Sequence, residues 1–332
     1  MSGSYEQPLG AATMRRVLGD IMAGRLPPDE VKDFLTTLAR RGETAEEIAS
    51  AVEVLRAHAV TLPLSQPYAL TDTCGTGGDG HGTINISTLA GLVAAAAGVR
   101  VVKHGNRAAS SRCGSADLLE ALGVNLDASP AQVARSVEAL GFGFCFAPRF
   151  HPAMKAVAAI RKELGIRTIF NLIGPLANPA PLTYQLVGVS DARLMRPMAE
   201  ALIRLGVRRS AVVHGEDGLD EVTTTSPTRI YEVRGEMATP SLFDPAGIGI
   251  PRGTAAQLQG GTASDNAAMA REILGGAPSP KRDIIVVNAA WAIYIAEQAS
   301  TVQEGIAKAQ EALVSGRAAT LLEHVKDMSH AG

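Results

Sequence analysis

Aromatic residues are scarce, with 7 Phe, 5 Tyr and 1 Trp in 332 residues. The 46% of apolar residues must therefore build the core from Ala, Val, Leu and Ile rather than from rings. Cysteine is also rare. Cys74, Cys113 and Cys145 lie far apart with no CxxC spacing, which argues against a disulfide framework and suits a reducing, cytoplasmic compartment. No charge sign dominates, because 31 Lys+Arg face 33 Asp+Glu for a net charge of −2. An overall basic field that would hold nucleic acid or an anionic membrane is thus missing, although a local basic cleft is compatible with the balance. The longest apolar run, Leu89 to Val99, is too short to span a bilayer. The first residues lack the basic start and apolar stretch of a signal peptide. Internal repeats and low-complexity segments are absent as well. Glycine, in contrast, is plentiful, with 34 residues. The length predicts one large domain and a smaller one.

From about Thr13 to Ala59 the pattern is helical. Met14, Val17, Leu18 and Ile21 recur at helix spacing, and Pro27-Pro28-Asp29-Glu30 opens a second helix. Thr44 and Glu47 form a capping-box pattern ahead of Ile48, Val52 and Leu55. A Pro-rich connection, Leu62 to Pro67, then leads into alternating β-type and Ala-rich helical runs. Strands are predicted at Val99–Lys103, Phe144–Ala147, Leu186–Val189, Ser210–His214 and Ile284–Asn288, with helices at Ser115–Leu122 and Met154–Leu164. This alternation predicts an α/β fold with a mostly parallel central sheet flanked by helices. Ile166 to Pro181, rich in Gly, Pro and Asn, reads as an ordered loop. The predicted division is a small all-helical domain over residues 1–70, joined by helices from about 166–185, and a large α/β domain over 71–332.

The sharpest motif is Asp72-Thr-Cys-Gly-Thr-Gly-Gly-Asp-Gly80, followed by Thr83-Ile-Asn-Ile-Ser-Thr88 and an Ala-rich helix. Gly75, Gly77 and Gly78 permit φ > 0 and let amides approach a ligand without Cβ obstruction. Ser87 and Thr88 stand near a helix start, where free N–H groups and the positive dipole end favour phosphate. A tight strand-to-helix turn would explain a lone glycine cluster, but Asp79, Asn85, Ser87 and Thr88 directly downstream favour the phosphate reading. Neither the Walker nor the GxGxxG pattern fits. A second loop, Lys103-His-Gly-Asn-Arg-Ala-Ala-Ser-Ser111, also follows a strand and supplies charges and hydroxyls. Ligands of doubly wound sheets sit beyond such strand ends. A third, His214-Gly-Glu-Asp-Gly-Leu-Asp-Glu221, offers carboxylates suited to Mg²⁺ shared with substrate phosphates. Arg161, in Arg161-Lys-Glu-Leu-Gly-Ile-Arg-Thr168, is open by spacing between a helix-surface charge and a fork for a carboxylate. His58, His81 and His151 show no metal spacing, and nothing near the cysteines resembles an activating base.

From about Thr13 to Leu322 the chain resembles the anthranilate phosphoribosyltransferases of tryptophan biosynthesis. The resemblance rests on Gly75-Thr-Gly-Gly-Asp79, Asn85-Ile-Ser-Thr88, Lys103-His-Gly-Asn-Arg107, Gly114-Ser-Ala-Asp117, Arg161 with Leu164-Gly-Ile-Arg-Thr168, Gly174-Pro-Leu-Ala-Asn-Pro179 and Asp217-Gly-Leu-Asp-Glu221. It implies transfer of the phosphoribosyl group of phosphoribosyl diphosphate (PRPP) to the amine of anthranilate, releasing diphosphate, with Mg²⁺ as cofactor, two ions being expected. It assigns PRPP to Gly75, Gly78, Asp79, Thr83, Asn85, Ile86, Ser87 and Thr88. To these it adds Lys103, His104, Gly105, Asn106, Arg107, Ala108, Ala109, Ser110, Ser111 and Ser115. Metal is assigned to Ser87, Asp220 and Glu221. Anthranilate is assigned to Gly75, Asn106 and Arg161, with His104, His151 and Pro175 lining its channel. Lys103, Asp79 and Arg161 are the residues expected to carry catalysis. An aniline nitrogen keeps its lone pair at neutral pH, so no dedicated strong base is needed. His81 and Tyr184 depart from the family pattern, but neither is a motif position.

The resemblance further implies a homodimer through the helical domain, no nucleic-acid partner and no membrane. No glutamine amidotransferase segment accompanies these residues, so ammonia handling is expected on another chain. Two alternatives stay open. A pyrimidine-nucleoside phosphorylase would share the fold and helical domain, but with a different phosphate loop. A noncatalytic nucleic-acid-binding paralogue would have lost the loop glycines or Asp220 and Glu221 and gained a basic surface.

Overall fold

The computed structural model describes residues 5–108 and 111–331. Three amphipathic helices come first: α1 (Ala11–Met22), α2 (Pro28–Arg41) and α3 (Ala45–Ala57). The capping box at α3 forms: Glu47 N donates to Thr44 Oγ1 at 3.2 Å, and Thr44 N donates to Glu47 Oε2 at 2.9 Å. The apolar stripes meet through Met14, Leu18, Phe34, Leu35 and Ile48, all fully buried.

Strands and helices then alternate: β1 (Thr71–Gly75), α4 (Ile86–Ala96), β2 (Val101–Gly105), α5 (Ser115–Ala121), α6 (Pro130–Leu140) and β3 (Phe142–Phe146). After α7 (Ala147–Phe150), α8 (Lys155–Leu164) and α9 (Ile169–Leu176), β4 (Tyr184–Gly188), α10 (Met195–Arg204) and β5 (Arg209–Gly215) extend the sheet. A hairpin of β6 (Thr228–Arg234) and β7 (Met237–Phe243) follows. The chain ends in α11 (Ala263–Leu274), α12 (Pro280–Ile295), α13 (Val302–Val314) and α14 (Arg317–His330). The strand order is β3-β2-β1-β4-β5-β6-β7, with β3 to β5 parallel and the hairpin antiparallel. The chain winds outward from β1 in one direction and from β4 in the other. The β1/β4 seam is therefore the switch point, where a doubly wound sheet opens a crevice at its carboxyl ends.

Strand side chains alternate between apolar clusters on the two faces, with Val102 and Cys145 in a third, smaller one beside α6. Leu186, Ala211 and Val213 join α4 and α11–α14 on one face. Cys74, Val187, Val189 and Val212 join α9 and α10 on the other, and this second cluster runs without a break into the cores of α1–α3. The helical layer and the sheet thus share one core. No helix among the described residues is long and apolar enough to cross a membrane.

Two predicted elements differ. Ile284–Asn288 is the middle of helix α12, not a strand. Its Ile-Ile-Val-Val run is β-branched because α12 is buried on nearly all sides against α4, α13 and the sheet, and a helix covered all round loses the 3.6-residue pattern. The Ile166–Pro181 segment contains α9 rather than loop alone. Thr168 N donates to Asn171 Oδ1 at 3.0 Å at its start, and Pro175 is tolerated because the helix ends at the next residue. The β6–β7 hairpin, turned at Gly235 with φ 58°, has no counterpart among the predicted strands.

Candidate active site

A cavity of about 840 Å³ opens at the carboxyl ends of β1 and β2, roofed by α8 and α9. After β1 the chain enters the left-handed region at Gly77 (φ 65°) and Gly78 (φ 73°), as the glycine cluster predicts. Gly75 needs to be glycine for another reason. Its φ is not positive, but a Cβ there would strike the Asp220 carboxylate. Gly188, its register partner on β4, would strike the Asp220 backbone. The acidic loop after β5 is therefore seated directly on two strand ends.

That loop separates its acids by role. Glu216 pairs outward with Arg229 at 2.6 Å, and Asp217 accepts from Leu219 N at 3.2 Å and Thr223 Oγ1 at 2.7 Å, so both hold the turn. Only Asp220 and Glu221 reach the cavity. Asp220 Oδ2 accepts from Gly77 N at 2.7 Å, and Glu221 Oε1 accepts from Ser87 N at 3.0 Å. Burial and the neighbouring Asp79 push the Asp220 carboxyl up to about 7. Burial and Asp220 raise that of Glu221, with Lys103 opposing. Asn288 locks the next residue, accepting from Val222 N at 2.9 Å and donating to Val222 O at 2.8 Å.

Near these acids stands Lys103, 3% exposed, whose Nζ makes its one hydrogen bond among the described residues to the His104 carbonyl at 3.4 Å. Beneath it, buried Asp72 accepts from Asn178 Nδ2 at 2.9 Å and His104 N at 3.3 Å. The cleft is thus not uniformly cationic: Lys103 stands among the buried acids Asp72 and Glu221, lowering the pKa of each against the burial that raises it. His104 and His151 meet edge to face with ring centroids 5.0 Å apart. Burial, with His151 and Lys103 nearby, pulls His104 down to about 3, so its ring is neutral. Among the described residues, His104 Nε2 and both ring nitrogens of His151 lack a well-aligned hydrogen-bond partner, with the Gly174 backbone close to His104 and the Leu55 and Ala177 backbones close to His151. Pro175 joins them on the cavity wall, its carbonyl accepting from Gln185 Nε2 at 2.7 Å.

The second loop is held by Asp117, whose Oδ2 accepts from Ala108 N at 2.9 Å and Gly114 N at 2.8 Å. Ser115 Oγ donates to Asn106 O at 3.2 Å, and a Cβ on Gly105 would strike that hydroxyl. Arg107 lines the cavity while making ion pairs with Asp117 at 3.0 Å and Glu120 at 2.7 Å. Asn106 Oδ1 accepts from Arg107 N at 2.8 Å, and Ser111 Oγ bonds Cys113 O at 3.5 Å. Ala109 and Ser110 lie outside the described residues. On the first loop Ile86 is a core residue, 2% exposed, and its N–H already serves Ile84 O, so the side chain offers a ligand nothing polar. Thr83 bridges to Gln259, and Thr88 is buried at the cavity wall.

Arg161, from the last turn of α8, lines the same cavity. Its guanidinium stacks 5.4 Å from the Phe170 ring centroid and has no ion pair or hydrogen bond among the described residues. A half-buried, uncompensated cation is costly, and the surroundings supply no other counter-charge. Arg167, which sequence reasoning left without a role, donates from Nη1 to Ser190 Oγ at 2.8 Å, and Ser190 in turn donates to Gly77 O at 3.0 Å. Asp72, Asp117, Asn178 and Asn288 were likewise missed as supports. Asp72, Asp117 and Asn178 stood inside the sequence motifs but without these roles, and Asn288 carried no signal.

The cavity thus presents a glycine-rich loop, a helix start, buried carboxylates and two cations short of partners. The family described as "Glycosyl transferase family, a/b domain" matches residues 67–319, and "Glycosyl transferase family, helical bundle domain" matches residues 1–59. The chain is 47% identical over 323 residues to anthranilate phosphoribosyltransferase of Alkaliphilus metalliredigens, covering 97% of this chain and 95% of that protein. It resembles the crystal structure of the Thermus thermophilus enzyme with a TM-score of 0.93 and 45% identity, covering 98% of this chain and 97% of that one. The Saccharomyces cerevisiae enzyme, solved in complex with PRPP and Mg, matches with a TM-score of 0.90 and 29% identity over 97% and 93% of the two chains. A further structure of the yeast enzyme contains 4-fluoroanthranilate. The chain belongs to the anthranilate phosphoribosyltransferase family.

Proposed function

We propose that the cavity binds PRPP across the two strand-end loops and anthranilate beneath α8, and that it transfers the phosphoribosyl group to the anthranilate amine. The carrying observation is that Arg161, with no ion pair or hydrogen bond among the described residues, lines the same cavity as Lys103, the His104–His151 ring pair and the buried acids Asp220 and Glu221. Lys103, the Gly75–Gly80 amides and the α4 start suit the diphosphate. Arg161 suits a carboxylate. His104, His151 and Pro175 form the wall for a flat ring. Breaking the ribosyl C1–O bond leaves negative charge on diphosphate, and Lys103 with the loop amides meets it, each such contact being worth on the order of 10²–10³ in rate. The amine attacks with its own lone pair, so positioning by Arg161, Asn106 and the ring wall is the main task of the chain.

The donor set fits Mg²⁺. Asp220 and Glu221 are adjacent hard-oxygen ligands whose charges repel each other, Asp79 stands beside them, and Ser87 adds a hydroxyl. Among the described residues no group of three or more His, Cys, Asp or Glu is arranged to hold a metal ion, so the proposal relies on substrate oxygens to complete the shell. When bound, Mg²⁺ would neutralise diphosphate charge; a second ion belongs to the proposal. So do a small helical unit of residues 1–70 joined by about 166–185, a homodimer through that unit, and a cytoplasmic setting, the last supported by three free, buried cysteines.

Initial rates with PRPP and anthranilate, with and without Mg²⁺, test the reading against thymidine with phosphate. Turnover of the nucleoside alone would overturn it, as would tight DNA binding without PRPP turnover.

A further inference from the structure

The segment before α11 runs antiparallel to the approach to α4. Ile84 N donates to Leu258 O at 3.1 Å, Gly260 N to Gly82 O at 2.9 Å, and Gln259 Nε2 to His81 O at 2.7 Å. A Cβ on Gly260 would lie 2.8 Å from Thr83 O, so the strap is as close as a glycine permits. At its end stands Asn266, 2% exposed, in the first turns of α11.

The Asn266 amide has one allowed orientation. Its Oδ1 accepts from Gly261 N at 2.7 Å, and a backbone N–H can only donate. Its Nδ2 therefore faces Asn85 and donates to Asn85 Oδ1 at 2.9 Å. That contact fixes Asn85 in turn, with Nδ2 donating to Cys113 O at 3.0 Å. One hydrogen of Asn85 Nδ2 is used there, and the other is left for the cavity that Asn85 lines. A chain of amides from Gly261 to Cys113 thus ties the first anion-binding loop to the second.

We infer that Asn266 is a positioning residue that locks the Asn85 amide so that its free N–H, rather than its oxygen, faces the anionic substrate. The inference rests on the proposed placement of PRPP at Asn85. Without Asn266, Asn85 loses one of three restraints against presenting its carbonyl oxygen to an anion, the others being its bond to Cys113 O and the weak Cys113 Sγ–H donor to Oδ1 at 3.4 Å.

Steady-state kinetics of Asn266→Ala, Asn266→Asp, Asn85→Ala and the Asn85→Ala/Asn266→Ala double variant test it, with thermal melting as the fold control. Asn266→Ala is expected to raise the PRPP KM about tenfold, the weight of one lost buried hydrogen bond, with the anthranilate KM within about twofold. Asn266→Asp keeps the acceptor for Gly261 N but sets oxygen against oxygen at Asn85, so its PRPP KM rises further although its shape is unchanged. It also carries the test should Asn266→Ala fail to fold. In the Asn85→Ala background, Asn266→Ala adds less than about twofold, because the coupling runs through Asn85. Additive effects in the double variant, parallel rises in both KM values, or wild-type kinetics in Asn266→Asp overturn the inference. An unchanged PRPP KM in Asn85→Ala overturns the placement of PRPP at that residue instead.

Discussion

Replacing Arg161 by alanine removes the one guanidinium in the cavity that has neither an ion pair nor a hydrogen bond among the described residues. Its partner is therefore expected to be the anthranilate carboxylate, held through two parallel N–H···O bonds. Hydrogen bonds to charged groups contribute about 1.5–3 kcal/mol each, so losing the fork costs about 2–4 kcal/mol after overlap between the two. That corresponds to a fall of about 30- to 900-fold in kcat/KM for anthranilate. Stability moves the other way. Burial already works against the charged guanidinium, and only the contact with Phe170 is lost, so Tm should hold steady or rise. Arg161→Lys restores the charge but not the fork, and should recover only part of the loss. Initial rates with anthranilate varied at saturating PRPP, and the reverse, separate the two KM values. Equal rises in both, or a large fall in Tm, would refute the assignment.

Asp220→Asn and Glu221→Gln should each raise the Mg²⁺ concentration for half-maximal rate by about tenfold or more; an unchanged Mg²⁺ dependence would sink the metal assignment. The pKa of His104, depressed by burial to about 3 against an ordinary 6.5, makes the fold acid-sensitive. Below pH 6.5 the unfolded chain takes up a proton that the folded ring refuses, so stability is full above pH 6.5 and falls by up to about 1.4 kcal/mol per pH unit on acidification. His104→Gln should flatten that part of the Tm–pH curve, and an unaltered curve would count against the buried neutral ring. Gly188→Ala, which drives a methyl into the Asp220 backbone, should cost about 2 kcal/mol or more of stability along with Mg²⁺-dependent turnover, read by melting and rate together.

Much of the site is local in sequence. The glycine loop and the acids after β5 each follow a strand, Lys103 lies in the last residues of β2, and strand ends at a switch point are where ligands gather. Arg161 is different, since a guanidinium on a helix reads the same whether its partner is a surface acid or a ligand; only the shared cavity separates the two. Arg107 shows the converse, a motif cation that the fold engages with Asp117 and Glu120. Gly75 was legible as glycine, but its reason lay in Asp220, 145 positions away. Asn266 gave no local sign, and Asn178 stood in the Gly174–Pro179 motif without a role, because a single buried amide acquires meaning only from groups distant along the chain. The fold failed to be legible where burial erased periodicity, in α12, and where Gly174 and Pro175 disguised α9.

The unbroken core from α1–α3 into the sheet has a consequence for synthesis. About a hundred residues separate Ala57 from the start of α9 at Ile169, so the first three helices leave the ribosome on the order of ten seconds before their packing partner at 5–20 residues per second. Throughout that interval, the apolar stripe that will meet α9 and α10 faces water or a chaperone. The nascent N-terminus is therefore the stretch in which misassembly with a second copy competes most directly with folding.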